Sequence, residues 1–211
     1  MEKWKKQIAL AIILVIVAFS FSGCIRTSDV GDTVKFGSYK GDKLEWIVLA
    51  KDGNKTLLIS KYVIDTQPYD DKNNPVKWED SSLMEWLNED FYEEAFGVVE
   101  KTRIADTPLY EKEDGDTLTN KVFLLDSDEI VRYFPDENDR STRFTMYVLD
   151  CGYDYGYGID GSCAFWVRPN DTGFTGAYLI GTSGKIFESR NSYGYQLRDK
   201  IGVRPAIWVV N

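Results

Sequence analysis

Apolar and polar positions alternate along the chain between residues 33 and 64. The segments 33–39, 44–51 and 56–64 are rich in branched and aromatic residues, and glycine-containing turns separate them. A period of two is typical of strands with one buried face, and Asp-Gly and Gly-Asn turns favour tight hairpins. The pattern therefore predicts a meander of three antiparallel strands.

Helical spacing replaces this alternation after Ser81. Leu83, Trp86, Leu87 and Phe91 fall on one stripe of a helix. We expect the helix to begin at Ser81 or at the serine that follows it, because a serine side chain can cap free backbone amides. We interpret Trp86 as a core residue, since tryptophan at helical spacing is usually buried.

Short elements separated by polar loops are expected in the rest of the chain. A charged loop is predicted over residues 109–121, and a helix over residues 126–134 with Ser127 as its cap. Strands are predicted at 121–125, 164–167, 177–180, 185–187 and 203–210, of which the third and fourth form a hairpin around a glycine-rich turn.

The N-terminal residues indicate export. Three lysines precede an apolar run at residues 8–21, which is shorter than the roughly 20 residues that a membrane-spanning helix needs. The run ends in Phe-Ser-Gly-Cys24, which resembles the lipobox of bacterial lipoproteins. The resemblance implies lipidation of Cys24, and two or more acyl chains suffice for stable attachment to a membrane.

These signals predict a three-part chain. Residues 1–23 form a lipoprotein signal peptide, residues 24–31 the lipidated cysteine with a short tether, and residues 32–211 one extracytoplasmic domain. We expect the protein on the extracytoplasmic face of the cell membrane. An uncleaved N-terminal anchor is the alternative, and it leads to the same compartment.

Composition excludes several function classes. The sequence contains no histidine, so Ser-His-Asp and Cys-His catalysis and imidazole zinc sites are ruled out. The net charge is −9, and loss of the signal peptide makes it −11, which argues against a nucleic-acid partner. No glycine-rich phosphate loop is present. We expect no cofactor and no metal.

Two cysteines remain after Cys24 is assigned to lipid. Cys151 and Cys163 lie close together in sequence, and an exported chain favours their pairing in a disulfide around the intervening loop. Free thiols, or a redox-active or copper-binding pair, are the alternatives.

The segment between these cysteines is rich in tyrosine. Tyr153, Tyr155 and Tyr157 alternate, so an extended backbone would place their rings on one face, and Tyr193 and Tyr195 could add to the same surface. Tyrosine with glycine and aspartate is typical of recognition loops. The alternative is that the rings cover the edge of the core.

The ordered motifs resemble a family of bacterial exported domains, domain of unknown function 6273. The matching positions are 31–39, 45–49, 57–62, 82–96, 122–126, 165–169 and 202–207. The family is similar to the C-type-lectin-like and formylglycine-generating-enzyme-like folds. This resemblance implies a compact α+β domain with a twisted antiparallel sheet, short helices and long loops, and no activity carries over with it.

A Val-Arg-Pro sequence occurs twice in the C-terminal half. We expect Arg168 and Arg204 at neighbouring strand ends, partly buried and paired with carboxylates, while each proline stops the strand ladder. The functional alternative is a pair of ligand-binding arginines that clamp an anion.

Two function classes follow from these observations. The first is a membrane-anchored module that binds a carbohydrate, a peptide or another envelope component, such as a surface protein, through its loops. The second is an envelope enzyme that works with carboxylates or tyrosine. The absence of histidine favours the first.

Overall fold

The computed structural model describes residues 25, 27–151, 158, 161–170, 173–189 and 195–211. Within these residues the chain forms two five-stranded sheets, a two-stranded hairpin and several short helices. The protein is therefore an α+β domain built from antiparallel sheets and short helices. Among the described residues, no helix is long and apolar enough to cross a membrane.

The first sheet contains the predicted meander. Its strands are β1 (Thr33–Tyr39), β2 (Asp42–Asp52), β3 (Lys55–Ser60), β7 (Val122–Phe123) and β12 (Ala206–Val210). Their order is β1-β2-β3-β12-β7, and all neighbours are antiparallel. The prediction of three consecutive antiparallel strands is confirmed.

The second sheet is made of three-residue strands. They are β4 (Asp65–Gln67), β8 (Phe165–Val167), β9 (Tyr178–Ile180), β10 (Ile186–Glu188) and β11 (Ile201–Val203). The order is β10-β9-β8-β11-β4, in which only the β8 and β11 pairing is parallel among the described strands. The predicted hairpin is confirmed as β9 and β10.

The segment predicted as a charged loop is instead a hairpin. It contains β5 (Thr107–Glu111) and β6 (Thr117–Asn120), joined by a turn in which Gly115 has φ of +87°. The loop prediction was wrong because Leu109 and Leu118 pack against the core, and this contact holds two otherwise polar strands in place.

The described residues include six short α-helices and a 3-10 helical turn, Trp78–Asp80. The α-helices are α1 (Ser82–Trp86), α2 (Tyr92–Ala95), α3 (Val98–Lys101), α4 (Ser127–Tyr133), α5 (Glu137–Arg140) and α6 (Met146–Asp150). A π-helical turn, Leu87–Phe91, joins α1 to α2. The Ser81 side chain accepts a hydrogen bond from the Met84 amide at 3.2 Å, which confirms the predicted start of α1.

The cap of α4 differs from the prediction. Asp126, not Ser127, accepts a hydrogen bond from the Glu129 amide at 2.8 Å, and the Glu129 carboxylate accepts one from the Asp126 amide at 2.9 Å. This reciprocal capping box leaves Ser127 as the first helical residue, because it satisfies two backbone donors at once.

The predicted final strand, 203–210, is divided between the two sheets. It breaks at Arg204-Pro205, where β11 ends and β12 begins. Proline has no amide hydrogen for the ladder, while its carbonyl accepts a hydrogen bond from the Ser60 amide at 2.8 Å. The second Val-Arg-Pro is therefore the point where the chain passes from one sheet to the other.

Two clusters of buried apolar side chains hold the sheets together. One contains Trp46, Trp78 and Trp166, and the other contains Phe123 and Phe165. Successive side chains of β8 alternate between these clusters, as the period of a strand requires. The short second sheet is consequently covered on both faces near its centre.

Candidate functional site

An open cleft of about 450 Å³ lies where β1, β4, α1, α2 and α6 meet. We call it the aromatic cleft. Three rings, three carboxylates, two lysines and one thiol line it: Tyr39, Trp86, Tyr147, Asp65, Asp90, Glu94, Lys40, Lys200 and Cys151. Such a mixture of aromatic faces and polar groups in a concave surface is typical of small-ligand sites.

Long-range folding brings these side chains together. Tyr39 is the last residue of β1, and Lys40 occupies the following turn with a left-handed φ of +50°. Asp65 opens β4, directly after the chain has passed from the first sheet to the second. Trp86 ends α1, and Tyr147 lies in α6. The rigid ends of five elements thus position the cleft.

The aromatic rings meet edge to face. The Tyr39 ring centroid lies 6.4 Å from that of Trp86 and 6.0 Å from that of Tyr147, with interplanar angles of 86° and 84°. Tyr39 is only 5% exposed, whereas the other two rings are half-buried. Edge-to-face contacts favour this arrangement and leave Trp86 and Tyr147 partly accessible to a ligand.

Tyr39 and Asp65 form the polar floor of the cleft. The Tyr39 hydroxyl donates a hydrogen bond of 2.5 Å to Asp65 Oδ2, and the Thr66 amide donates one of 2.6 Å to Oδ1. Burial, and then the neighbouring Asp65, raise the pKa of Tyr39. The phenol therefore stays protonated at neutral pH and acts as a hydrogen-bond donor, not as a base.

Lys40 closes one side of the cleft. Its Nζ lies 2.7 Å from Glu94 Oε2 and 5.1 Å from the Tyr39 ring centroid. The hydrogen bond to Glu94 raises the pKa of Lys40. Tyr147 also has a raised pKa, first because of burial and then because of its hydrogen bond with Cys151. These groups supply donors and fixed charges at neutral pH.

A second cavity of about 430 Å³ lies next to the aromatic cleft. Leu44, Ile64, Phe144 and Met146 contribute its apolar part, and charged side chains surround it. Ile64 and Met146 are each followed in sequence by a residue of the aromatic cleft. Neighbouring residues of the chain therefore line the two cavities.

Most of the predicted tyrosines cannot be compared with this cleft. Tyr153, Tyr155, Tyr157 and Tyr193 lie outside the described residues, as does Cys24, the predicted site of lipidation. Tyr195 is half-buried and packs against the cluster that contains Trp46. The proposed tyrosine surface stays a prediction.

Arg168 occupies the environment that the sequence predicts. It directly follows β8 and is 3% exposed. Its Nη2 lies 3.0 Å from Asp126 Oδ2 and 3.1 Å from Glu129 Oε2, and its Nε donates to the Leu124 carbonyl at 3.1 Å. Burial raises the pKa of Glu129. The network connects β8 to the start of α4.

Arg204 corrects the prediction of a carboxylate partner. Its guanidinium is buried between the rings of Phe134 and Phe165, at 5.1 and 5.4 Å, and its Nε donates to the Ser60 carbonyl at 2.9 Å. No described carboxylate pairs with it, and burial lowers its pKa to about 10. Aromatic faces and a backbone carbonyl replace the expected ion pair, because the chain crossing places Arg204 inside the core.

Both remaining cysteines are free thiols, in contrast to the predicted disulfide. Cys163 is buried and its Sγ donates to the Thr142 carbonyl at 3.3 Å, whereas Cys151 is exposed at the end of α6 and lines the aromatic cleft. The two side chains belong to different environments, because Cys163 packs in the second apolar cluster.

The described residues contain no group of three side chains suited to hold a metal ion. Sequence reasoning missed the aromatic cleft, since it assigned Trp86 to the core and gave Tyr39, Asp65 and Tyr147 no role. Trp86 does contact core residues such as Phe91, so the assignment was half right. The sequence signal that could have revealed the cleft was the set of polar, exposed residues that surround Trp86 in α1.

The fold and the cleft together define an α+β domain with a concave aromatic and polar surface. Residues 53–211 match the family described as Domain of unknown function (DUF6273), and the chain belongs to this family. The predicted family membership is confirmed. Strands β1 and β2 precede the matched region. No curated protein and no solved structure matches the chain.

Proposed function

We propose that the protein is a lipid-anchored extracytoplasmic lipoprotein whose domain binds an envelope ligand through the aromatic cleft. The sequence supports the anchor: a cationic start, a short apolar run and a lipobox-like cysteine form an export signal. Residues 1–23 are then the signal peptide, residues 24–31 the tether and residues 32–211 the domain.

Fatty-acid labelling tests the anchor. Cells that express the full chain and are fed a tagged fatty acid incorporate the label into this protein, and Cys24→Ser abolishes incorporation because it removes the acceptor thiol. Equal labelling of the two proteins contradicts the lipoprotein assignment.

The observation that carries the binding function is the ring arrangement of the cleft. The half-buried rings of Trp86 and Tyr147 stand at right angles to Tyr39, within reach of Asp65 and Lys40. Aromatic faces supply contact area at low entropic cost, and the polar groups around them fix orientation. Carbohydrate rings, peptides and other envelope components are the ligand classes that such a surface suits.

We also propose that the domain is similar to the C-type-lectin-like fold. Short strands in two sheets and a ligand surface built from loops and element ends support it.

A binding screen tests the function. The full chain, purified in detergent, is applied to an array of glycans and cell-wall peptides with and without calcium. Saturable binding that does not depend on calcium is expected, because the described cleft offers aromatic and hydrogen-bonding groups. Absence of saturable binding under both conditions contradicts the proposal.

A further inference from the structure

We propose that the aromatic cleft recognises a primary alkylammonium group, such as a lysine-type side chain, and that Lys40 occupies this group's place in the free protein. The inference rests on the proposed binding function and names the chemistry of its ligand. The observation that carries it is the position of the Lys40 side chain.

The Lys40 ammonium has two partners inside the cleft. Its Nζ stands 5.1 Å from the Tyr39 ring centroid and 2.7 Å from Glu94 Oε2. A cation within about 6 Å of an aromatic centroid is attracted by the ring's quadrupole. The cleft therefore already holds an alkylammonium between an aromatic face and a carboxylate.

The remaining walls favour a cation as well. Trp86 and Tyr147 flank Tyr39 at nearly right angles, and Tyr39 lies between them. Aromatic rings attract a cation that stands over their faces, and the half-buried rings of Trp86 and Tyr147 line the cleft beside Tyr39. A neutral sugar could stack on such rings, but it would not replace the Lys40 ammonium as the partner of Glu94.

The charges of the cleft are unequal. Asp65, Asp90 and Glu94 face two lysines, Lys40 and Lys200. The Asp65 carboxylate already accepts hydrogen bonds from Tyr39 and Thr66, whereas Asp90 and Glu94 are exposed. When Lys40 swings out, the cleft keeps three carboxylates against one lysine. An incoming ammonium returns the cleft to its original excess of one carboxylate, whereas an anionic ligand increases the excess of negative charge.

Displacement of Lys40 costs little. The side chains of Lys40 and Glu94 are 36% and 44% exposed, and ion pairs at that exposure are weak because water screens them. Lys40 lies in the turn directly after β1 and its side chain is partly exposed, so the side chain can reorient towards solvent. A ligand ammonium can therefore replace it without unfolding any element.

Matched probes test the ammonium directly. Binding of Nα-acetyl-lysine methylamide to the full chain is compared with binding of its Nε-acetylated form, by NMR titration at low salt. Acetylation removes the charge and keeps the aliphatic chain. We expect at least about tenfold weaker binding of the acetylated probe. Equal affinities overturn the inference, as does preference for the neutral sugar N-acetylglucosamine over both lysine probes.

A second variant separates displacement from a structural role of Lys40. Lys40→Asn removes the internal ammonium, and asparagine tolerates the left-handed backbone at this position. We expect it to tighten binding of the lysine probe about threefold to tenfold. The control Lys51→Asn changes net charge equally from an exposed position outside the cleft. Unchanged or weaker binding by Lys40→Asn overturns the inference.

The two proposals fail in different ways. If an array ligand binds through the cleft but the acetylated and free lysine probes bind equally, the binding function stands and the ammonium inference is wrong. If neither the array nor the probes show saturable binding, both are wrong.

Discussion

At the residue scale, two identical Val-Arg-Pro sequences have different roles. Both arginines are buried, but Arg168 pairs with two carboxylates, whereas Arg204 lies between two phenylalanine rings. Their position at the ends of adjacent strands, β8 and β11, was predictable, because proline stops a ladder. Their partners were not, since Asp126 lies 42 positions from Arg168 and Ser60 lies 144 positions from Arg204.

The buried thiol of Cys163 gives a prediction about alkaline stability. Burial raises its pKa from 9.0 to about 12. The unfolded chain therefore loses this proton first, so the contribution of Cys163 to the free energy of unfolding falls as pH rises from about 9 to 12, by up to roughly 1.4 kcal/mol per pH unit. Above pH 10, Arg204 acts in the opposite direction, because its lowered pKa makes the folded state release its proton first. Tyrosines with raised pKa values, such as Tyr39, add to the fall above pH 10.

Urea unfolding between pH 8 and pH 10 measures the contribution of the Cys163 thiol to the pH dependence of stability. Cys163→Ala should show a shallower loss of stability than the unsubstituted chain over this window. Cys151→Ala is the control, because that cysteine is exposed. Identical pH slopes for all three proteins would show that Cys163 does not titrate as a buried free thiol.

At the element scale, the hydrophobic pattern predicted which strands and helices exist more reliably than it predicted where they begin and end. The β1 to β3 meander and the β9–β10 hairpin followed from periodicity and turn residues. The hairpin of β5 and β6 did not, because its polar residues depend on packing of Leu109 and Leu118. The local sequence pattern does not show this contact with the core.

Asn88 shows a second limit of local reasoning. Asparagine is unfavourable within a helix, yet the Asn88 side chain connects β7 to the π-helical turn through hydrogen bonds. The amide donates to the carbonyls of Met84 and Val122, and its oxygen accepts from the amides of Lys121 and Val122. A residue that is unfavourable within a helix thus satisfies a strand more than 30 positions away.

The packing of β1 against α2 leaves no space for a side chain at Gly37. This glycine has φ of +76° within a bulge of β1, and an added Cβ would stand 2.7 Å from the Ala95 carbonyl oxygen and 2.9 Å from the Phe96 ring. Gly37→Ala should lower the free energy of unfolding by about 2 to 4 kcal/mol, from backbone strain and overpacking against α2.

Gly31 provides the matched control. Its φ is +93°, but nothing lies within 4 Å of an added Cβ. Gly31→Ala should cost only the backbone strain, about 1 kcal/mol. Equal losses for the two variants in urea denaturation would show that Gly37 is not fixed by its contact with α2.

At the scale of the whole molecule, the cleft depends on chain crossings between the sheets. Asp65 reaches the cleft because β3 and β4 belong to different sheets, and Pro205 makes the same passage between β11 and β12. Family membership and the α+β class were predictable from ordered motifs. The cleft was not, because its lining residues span positions 39 to 200 and no local spacing joins them.

The central claim is that ligand binding occurs in the aromatic cleft, and affinities of variants for the array ligand test it most directly. Trp86→Ala and Tyr147→Ala should each weaken binding at least about tenfold, because both remove ring surface from the cleft. Val131→Ala, an exposed position outside the cleft, should stay within about twofold. Urea unfolding of each variant confirms that it is folded. Unchanged affinity in the two folded ring variants would contradict the account.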